Sequence, residues 1–289
     1  MENVSRYTQA IQRVYKDLAI TTIEPLNHGQ NNTVLKVNGT YIFRFPKYTE
    51  GYQALKREIT LLDYLQDKLP LAIPRPIFSC LSSRANGFMG YPNISGLPLW
   101  NGVLAKTDDA TQERIAQQLS TFLKSLHQLP VTDILRELLP QTDTTSHWNT
   151  IFEQVRSKLM PHMRTDAQVQ VTKHFETFLE QPNPFAYSPV LKHGDFGASN
   201  ILIDPAAGSM SGILDFGSAS LGDPAYDFAG LLSSYGASFV HHIGCDYPNF
   251  DALWPRIRFY QGTFALLEAL FGIDNSDINA FKDGMALYV

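Results

Sequence analysis

Three residues whose types and spacing suit phosphoryl transfer stand close together in the chain. Asp195 and Asn200 lie within His193-Gly-Asp195-Phe-Gly-Ala-Ser-Asn200, and Asp215 lies within Ile213-Leu-Asp215-Phe-Gly217. Moving a phosphoryl group onto a hydroxyl needs a carboxylate that accepts or orients the hydroxyl proton. It also needs oxygen ligands, one neutral and one anionic, to hold Mg²⁺ against the phosphates of a nucleotide. Asp195 fits the first role, and Asn200 with Asp215 fits the second.

The segment between Asn200 and Asp215 has to bring them together. Ile201-Leu-Ile203 and Gly212-Ile-Leu214 are short apolar strands, joined by the turn-rich Asp204-Pro-Ala-Ala-Gly208. A hairpin there returns Asn200 and Asp215 to the same end. The spacing from His193 to Asn200 is also that of the H-R-D-x-x-x-x-N catalytic-loop signature, with Asp215-Phe-Gly217 as its metal-binding companion.

Upstream, residues 4–18 place Val4, Tyr7, Ile11, Val14 and Leu18 at helical spacing. Thr33-Val-Leu-Lys-Val37 and Tyr41-Ile-Phe-Arg-Phe45 flank Asn38-Gly39-Thr40, which predicts a β-hairpin. Strand alternation sets Tyr41, Phe43 and Phe45 on one face and Ile42 with Arg44 on the other. Over 52–68, Ala54, Glu58, Leu61 and Leu65 form a helical stripe, so the Glu58 carboxylate falls among apolar residues and requires a partner. Residues 88–96 read as a last strand and a hinge. Beyond it the pattern is helical: 111–128, with Ile115, Leu119, Phe122, Leu123 and Leu126 on one face, then 148–158, 166–180 and 251–271. Asp223-Pro224 reads as an N-cap followed by a first-turn proline.

At the catalytic-loop residues the chain resembles the aminoglycoside phosphotransferase family, part of a larger kinase-like group. Tyr41-Ile-Phe-Arg-Phe-Pro-Lys47, Lys68-Leu-Pro-Leu-Ala-Ile-Pro-Arg-Pro76 and Gly90-Tyr-Pro-Asn-Ile-Ser-Gly-Leu-Pro-Leu99 look most like the branch that modifies the 2″-hydroxyl of aminoglycosides. The resemblance covers residues 20 to 240. It implies an α+β, bilobal protein-kinase-like fold: a small antiparallel-sheet lobe over residues 1–95, and a larger helical lobe over 96–289 with the catalytic loop, metal site and acceptor site.

The same resemblance assigns roles in the nucleotide site. Arg44 stands where the family usually has its nucleotide-binding lysine, which keeps the charge but replaces a compact ammonium by a planar fork. Lys47 has the wrong strand parity for that role. Glu58 becomes the partner of Arg44, and His28-Gly-Gln-Asn-Asn-Thr33 the loop over the phosphates. The Pro92 carbonyl and Ile94 amide face the purine edge, and Tyr91 is the gatekeeper. Asp227 and His193 brace the catalytic loop. The implied donor is ATP or GTP with Mg²⁺. The implied acceptor is a hydroxyl-bearing small molecule, an aminoglycoside first, with macrolide, amino alcohol or sugar as alternatives. From another class comes a nucleotide-binding pseudokinase, suggested by Arg44.

Composition agrees with a globular protein. The 289 residues are 44% hydrophobic and 12% aromatic, ample for packed cores. A formal charge of −5 leaves no electrostatic footprint for nucleic acid. No run approaches the roughly 20 apolar residues of a membrane helix, and the amino terminus has no signal-like apolar core, so a cytoplasmic location is expected. Cys80 and Cys245, far apart, suggest neither a disulfide framework nor a zinc site. P-loop, H-E-x-x-H and G-x-S-x-G motifs are absent. Asp246, Asp251, Glu268, Asp274, Asp277 and Asp283 are available for an amine-rich acceptor, and His241-His242 lacks a third metal ligand.

Overall fold

The structure, a computed structural model, describes residues 2–26, 32–82 and 86–289. The fold is α+β and kinase-like, a small antiparallel-sheet lobe with a larger helical one. By contacts the chain forms two compact units, Met1–Leu99 with Ser199–Ser218, and Trp100–Ala198 with Ala219–Val289.

The first unit begins with α1 (Glu2–Val14), followed by β1 (Ile23–Leu26), β2 (Asn32–Val37), β3 (Tyr41–Pro46), α2 (Thr49–Leu65), β4 (Phe78–Cys80), β5 (Phe88–Pro92) and β6 (Leu97–Pro98). Five of its strands make an antiparallel sheet in the order β1-β2-β3-β5-β4. Asn38 and Gly39 both take left-handed angles, φ 53° and 65°, the pair a two-residue hairpin turn requires. The Asn38 side chain also accepts from the Thr21 N–H at 2.8 Å and donates to the Ala19 carbonyl at 2.7 Å, tying the turn to the segment before β1.

Alternation along β3 divides the unit. Phe43 and Phe45 pack with Leu35, Val37, Phe88 and the α1 residues Ala10 and Ile11. Ile42, Arg44, Met89 and Tyr91 are buried on the opposite face, where α2 packs against β3 and β5. Helix α1 stops at Val14, short of residue 18. Leu18 still reaches the Phe43 core from the following turn, through which its N–H bonds the Tyr15 carbonyl. Helix α2 likewise runs 49–65 instead of 52–68, closing where Asp67 turns left-handed at φ 61°.

The second unit supplies α3 (Asn101–Leu104), α4 (Asp109–His127), α5 (Asp133–Leu138), α6 (Thr145–Gln154), α7 (Thr165–Leu179) and β7 (Val190–Lys192). Next in the chain, β8 (Ile201–Asp204) and β9 (Ser209–Ile213) belong to the first unit, where they form a small sheet with β6. The second unit resumes with β10 (Ser220–Gly222), paired to β7, then α8 (Ala225–Gly244), α9 (Phe250–Gln261), α10 (Phe264–Asp274) and α11 (Ile278–Met285).

In α4, Asp108 caps the first turn by accepting the Thr111 N–H at 2.7 Å, and Ile115, Leu119, Phe122, Leu123 and Leu126 are fully buried. Each such burial contributes roughly 1.5–3 kcal/mol, so this stripe is what holds α4 in place. The single helix expected over 251–271 is two. At the break a Cβ on Gly262 would lie 2.5 Å from the His174 ring, and Thr263 bonds the Tyr260 carbonyl at 2.7 Å. Close packing against α7 thus accompanies the break, with Gly262 and Thr263 between α9 and α10. Among the described residues no helix is long and apolar enough to cross a membrane.

Candidate functional site

In the first unit, the hairpin of β8 and β9 closes as its sequence requires. Asp204 Oδ1 accepts the Ala206 and Ala207 N–H groups, and Gly208 completes the turn at φ 58°. At the open end the Leu214 N–H donates to the Asn200 carbonyl at 2.8 Å, which brings the backbones leading to Asn200 and Asp215 side by side. Asn200 is buried, whereas the Asp215 side chain is 41% exposed and its backbone left-handed at φ 61°.

Arg44 reaches this turn from β3. Its Nη1 donates to Glu58 Oε1 at 2.6 Å and its Nη2 to Asp215 Oδ1 at 2.7 Å. The two carboxylates are tied into the turn as well: Glu58 accepts the Phe216 N–H at 3.1 Å, and Asp215 Oδ1 the Gly217 N–H at 3.3 Å. Glu58 thus points inward to a cation and an amide instead of tipping to water from the edge of its helical stripe. The guanidinium is a buried cation between two carboxylates: burial opposes its charge, but Asp215 and Glu58 outweigh that, so its pKa lies above the ordinary arginine value. Tyr91 is buried beside it, and desolvation pushes the phenol up.

Burial likewise pushes the Glu58 carboxyl up to about 7, against the opposing pull of Arg44. A carboxyl whose pKa is higher folded than unfolded binds more protons in the native state across the interval between the two values. Its contribution to stability therefore grows as pH falls from about 7 towards 4.5. Compared with Glu58→Gln, which carries no such proton, the parent is expected to gain on the order of 2–3 kcal/mol over that window. Denaturant unfolding of both proteins at the two ends of the range measures it.

The segment expected to read the purine edge is anchored by the Asn93 N–H, which donates to the Thr40 carbonyl at 2.7 Å. Pro92 is exposed and Ile94 half-buried, its side chain lying against Gly212 of β9. Of the loop expected over the phosphates, His28 to Asn31 lie outside the described residues.

Asp195 belongs to the second unit, on the loop after β7. Its side chain is exposed while its neighbours are fixed one by one. The buried Asp227 carboxylate of α8 accepts the His193 and Gly194 N–H groups, each at 2.8 Å. The Asp195 N–H donates to His193 Nδ1 at 3.2 Å, Phe196 stacks on Phe122 of α4, and the Ala198 N–H bonds Ser234 Oγ at 3.1 Å. Burial alone would raise Asp227, but hydrogen bonds from His127 and from Gly194 hold it below the usual carboxylate range.

His127 was missed in the sequence, although it continues the α4 stripe four residues after Leu123. Its Nε2 lies 3.0 Å from Asp227 and its Nδ1 2.8 Å from the Tyr247 hydroxyl. An ionised carboxylate only accepts, so Nε2–H donates and Nδ1 faces the phenol. A second buried group was also unforeseen: Asp223 caps the Ala225 N–H as expected, but its other oxygen takes Arg256 Nε at 2.6 Å and the Tyr260 hydroxyl at 2.9 Å. Lys192, just ahead of the catalytic loop, is buried on Asp143 at 2.9 Å.

The proposed acceptor carboxylates fare differently. Asp274 pairs with Lys158, and Asp277 caps α11 by accepting the Asn279 and Ala280 N–H groups, so these two serve the fold. Asp246, Asp251 and Asp283 are exposed. His241 lies tilted against the Trp254 ring and His242 pairs with Glu113, and among the described residues no three His, Cys, Asp or Glu side chains form a metal-holding group.

The sheet lobe, the helical lobe, the H-x-D-x-x-x-x-N loop and the Asp-Phe-Gly turn define a kinase-like phosphotransferase. Comparison with known proteins agrees, and the chain belongs to the phosphotransferase enzyme family, which matches residues 22–260. It is similar to the viomycin phosphotransferase of Streptomyces vinaceus, with 30% identity over 200 residues, 68% of this chain and 67% of that protein. The chain spans about two thirds of the length of the curated relatives it matches. Among solved structures it is similar to the GDP and kanamycin complex of APH(2″)-IIIa, with a TM-score of 0.90 and 28% identity over 97% of this chain and 96% of that one. The macrolide 2′-phosphotransferase type I shares the fold, with a TM-score of 0.78 at 19% identity over 99% and 96%.

Proposed function

We propose that the protein transfers the γ-phosphoryl group of ATP or GTP to a hydroxyl of an aminoglycoside, and so confers resistance to it in the cytoplasm. In this reading Asp195 accepts or orients the proton of the attacking hydroxyl while a new oxygen–phosphorus bond forms and the β–γ bridge breaks. Arg44, positioned with Glu58, contacts the phosphates, and the Pro92 carbonyl and Ile94 amide meet the purine. The lobe of residues 1–95, with the β8–β9 hairpin, holds the nucleotide, and the lobe of 96–289 holds the acceptor.

The donor set fits Mg²⁺. The backbone bond between Leu214 and Asn200 sets the two segments side by side, and the neutral amide oxygen of Asn200 and the partly exposed carboxylate of Asp215 are hard ligands of the kind this ion takes. When bound, Mg²⁺ neutralises phosphate charge as it develops.

The similarity that carries the acceptor class is the one to the kanamycin-bound APH(2″)-IIIa, which extends over nearly the whole chain. That its relatives are solved with GDP supports a guanine donor alongside ATP. A viomycin-type acceptor is the second reading, favoured by the Streptomyces relative.

The test is an acceptor screen of kanamycin, gentamicin, streptomycin, viomycin and a macrolide, each with ATP and with GTP and Mg²⁺. Phosphorylation of an aminoglycoside is expected, with an acceptor KM that rises with salt, because charge attraction is screened over about 8–10 Å near physiological ionic strength. Efficient turnover of the macrolide with every aminoglycoside inert would retire the aminoglycoside as acceptor and keep the phosphotransferase. Nucleotide binding without turnover of any acceptor would favour the pseudokinase.

A further inference from the structure

Arg44 carries two jobs that a lysine at the same place would have to divide. Its two terminal nitrogens are engaged at once, Nη1 on Glu58 and Nη2 on Asp215, at 2.6 and 2.7 Å. Each carboxylate passes the constraint on to a backbone amide of the same turn: Glu58 Oε1 accepts from Phe216, and Asp215 Oδ1 from Gly217. Four hydrogen bonds thereby join β3, α2 and the Asp215-Phe216-Gly217 turn into one network, with the Arg44 and Glu58 side chains only 5% and 1% exposed. Asp215 needs such a constraint. It is a non-glycine residue at φ 61°, a conformation that costs free energy and persists only where its surroundings enforce it.

We propose that Arg44 is a positioning residue for Asp215: its planar fork sets the Asp-Phe-Gly turn through protein groups alone, in addition to any contact it makes with nucleotide. The reason is geometric. Two nitrogens held in one plane meet two carboxylates in fixed relative positions, whereas a single ammonium at the end of a flexible stem supplies the charge at one point without fixing the angle between its partners. The charge is therefore not the decisive property. A substitution that keeps the charge and removes the fork should loosen the turn.

The experiment is residue-resolved amide hydrogen exchange by NMR on the full chain without added nucleotide or metal, comparing the parent with Arg44→Lys and Arg44→Ala. In Arg44→Lys the Phe216 and Gly217 amides are expected to exchange about tenfold faster, the scale of one charge-assisted hydrogen bond. Amides of β2 and α4 should keep their parent rates, which separates a loosened turn from general destabilisation. Arg44→Ala should accelerate the two amides further. If that variant fails to fold, Arg44→Lys alone decides the matter.

A kinetic split accompanies this. In Arg44→Lys the Mg²⁺ concentration giving half-maximal rate should rise severalfold, because Asp215 is less well placed, while the acceptor KM stays unchanged. Parent-like exchange at Phe216 and Gly217 in Arg44→Lys would overturn the proposal, whatever happens to nucleotide affinity. A chain that exchanges as expected but transfers no phosphate would leave the positioning role intact and sink the proposed reaction instead.

Discussion

Asp195→Ala is expected to lower kcat by about 10²–10⁴, the range for a positioned proton acceptor, with nucleotide affinity close to that of the parent. The structure gives the reason for expecting a clean effect. Asp195 is exposed on a loop whose backbone N–H groups are held by Asp227, His193 and Ser234. Truncating that side chain removes the proposed proton acceptor and keeps those backbone bonds. Asp215→Ala should behave differently, weakening Mg-nucleotide binding as well as turnover, since it removes both the proposed metal ligand and one of the carboxylate partners of Arg44. Steady-state kinetics with the best acceptor, together with nucleotide titration, distinguishes the two. Turnover by Asp195→Ala within tenfold of the parent would remove Asp195 from its assigned role.

Asp227→Ala is expected to destabilise the protein by about 3 kcal/mol or more, since buried donors left without an acceptor cost roughly 1–3 kcal/mol each. Its carboxylate, fully buried, serves the His193 N–H, the Gly194 N–H and His127 Nε2. His193 and His127 are buried and Gly194 half-buried, so water replaces the carboxylate poorly when it is removed. Asp227→Asn retains one carbonyl oxygen and should recover part of the loss. Because two of the three orphaned groups are catalytic-loop amides immediately before Asp195, kcat should fall with stability while the nucleotide KM changes little. Urea unfolding of the three proteins, paired with kinetics at a temperature where all are folded, reads both effects. A change in stability below about 0.5 kcal/mol, the range of an ordinary surface substitution, would show that the brace is dispensable.

How far these residues could be read in advance depended on how local their signals are. The β2–β3 hairpin was legible because Asn38-Gly39 has few alternatives to a left-handed turn, and the α4 stripe because five apolar residues repeat at helical spacing. The spacing of Asp195, Asn200 and Asp215 was legible for the same reason: a short hairpin brings Asn200 and Asp215 together wherever the rest of the chain lies. Helix ends were less so. Leu18 has the right periodicity but enters the core from a turn, and residues 251–271 are periodic throughout yet broken at Gly262, where the His174 ring occupies the space of a side chain.

The chain's chemistry, its hairpins and its main helical faces thus follow from residue type and spacing, which act over a few residues and need no distant partner. What fills the remaining valences of the buried charges does not. Nothing near Arg44 in sequence says that its second nitrogen meets Asp215, 171 residues away. Nothing near Asp223 announces Arg256, nor near Asp227 the His127 side chain, 100 residues earlier. A buried charge must find a counter-charge or a hydrogen bond wherever packing brings one, because the interior offers no water in its place. The identity of that partner is therefore settled by folding at long range, and with it the role of acidic residues such as Asp274 and Asp277, which composition offered to a ligand and the fold had already engaged.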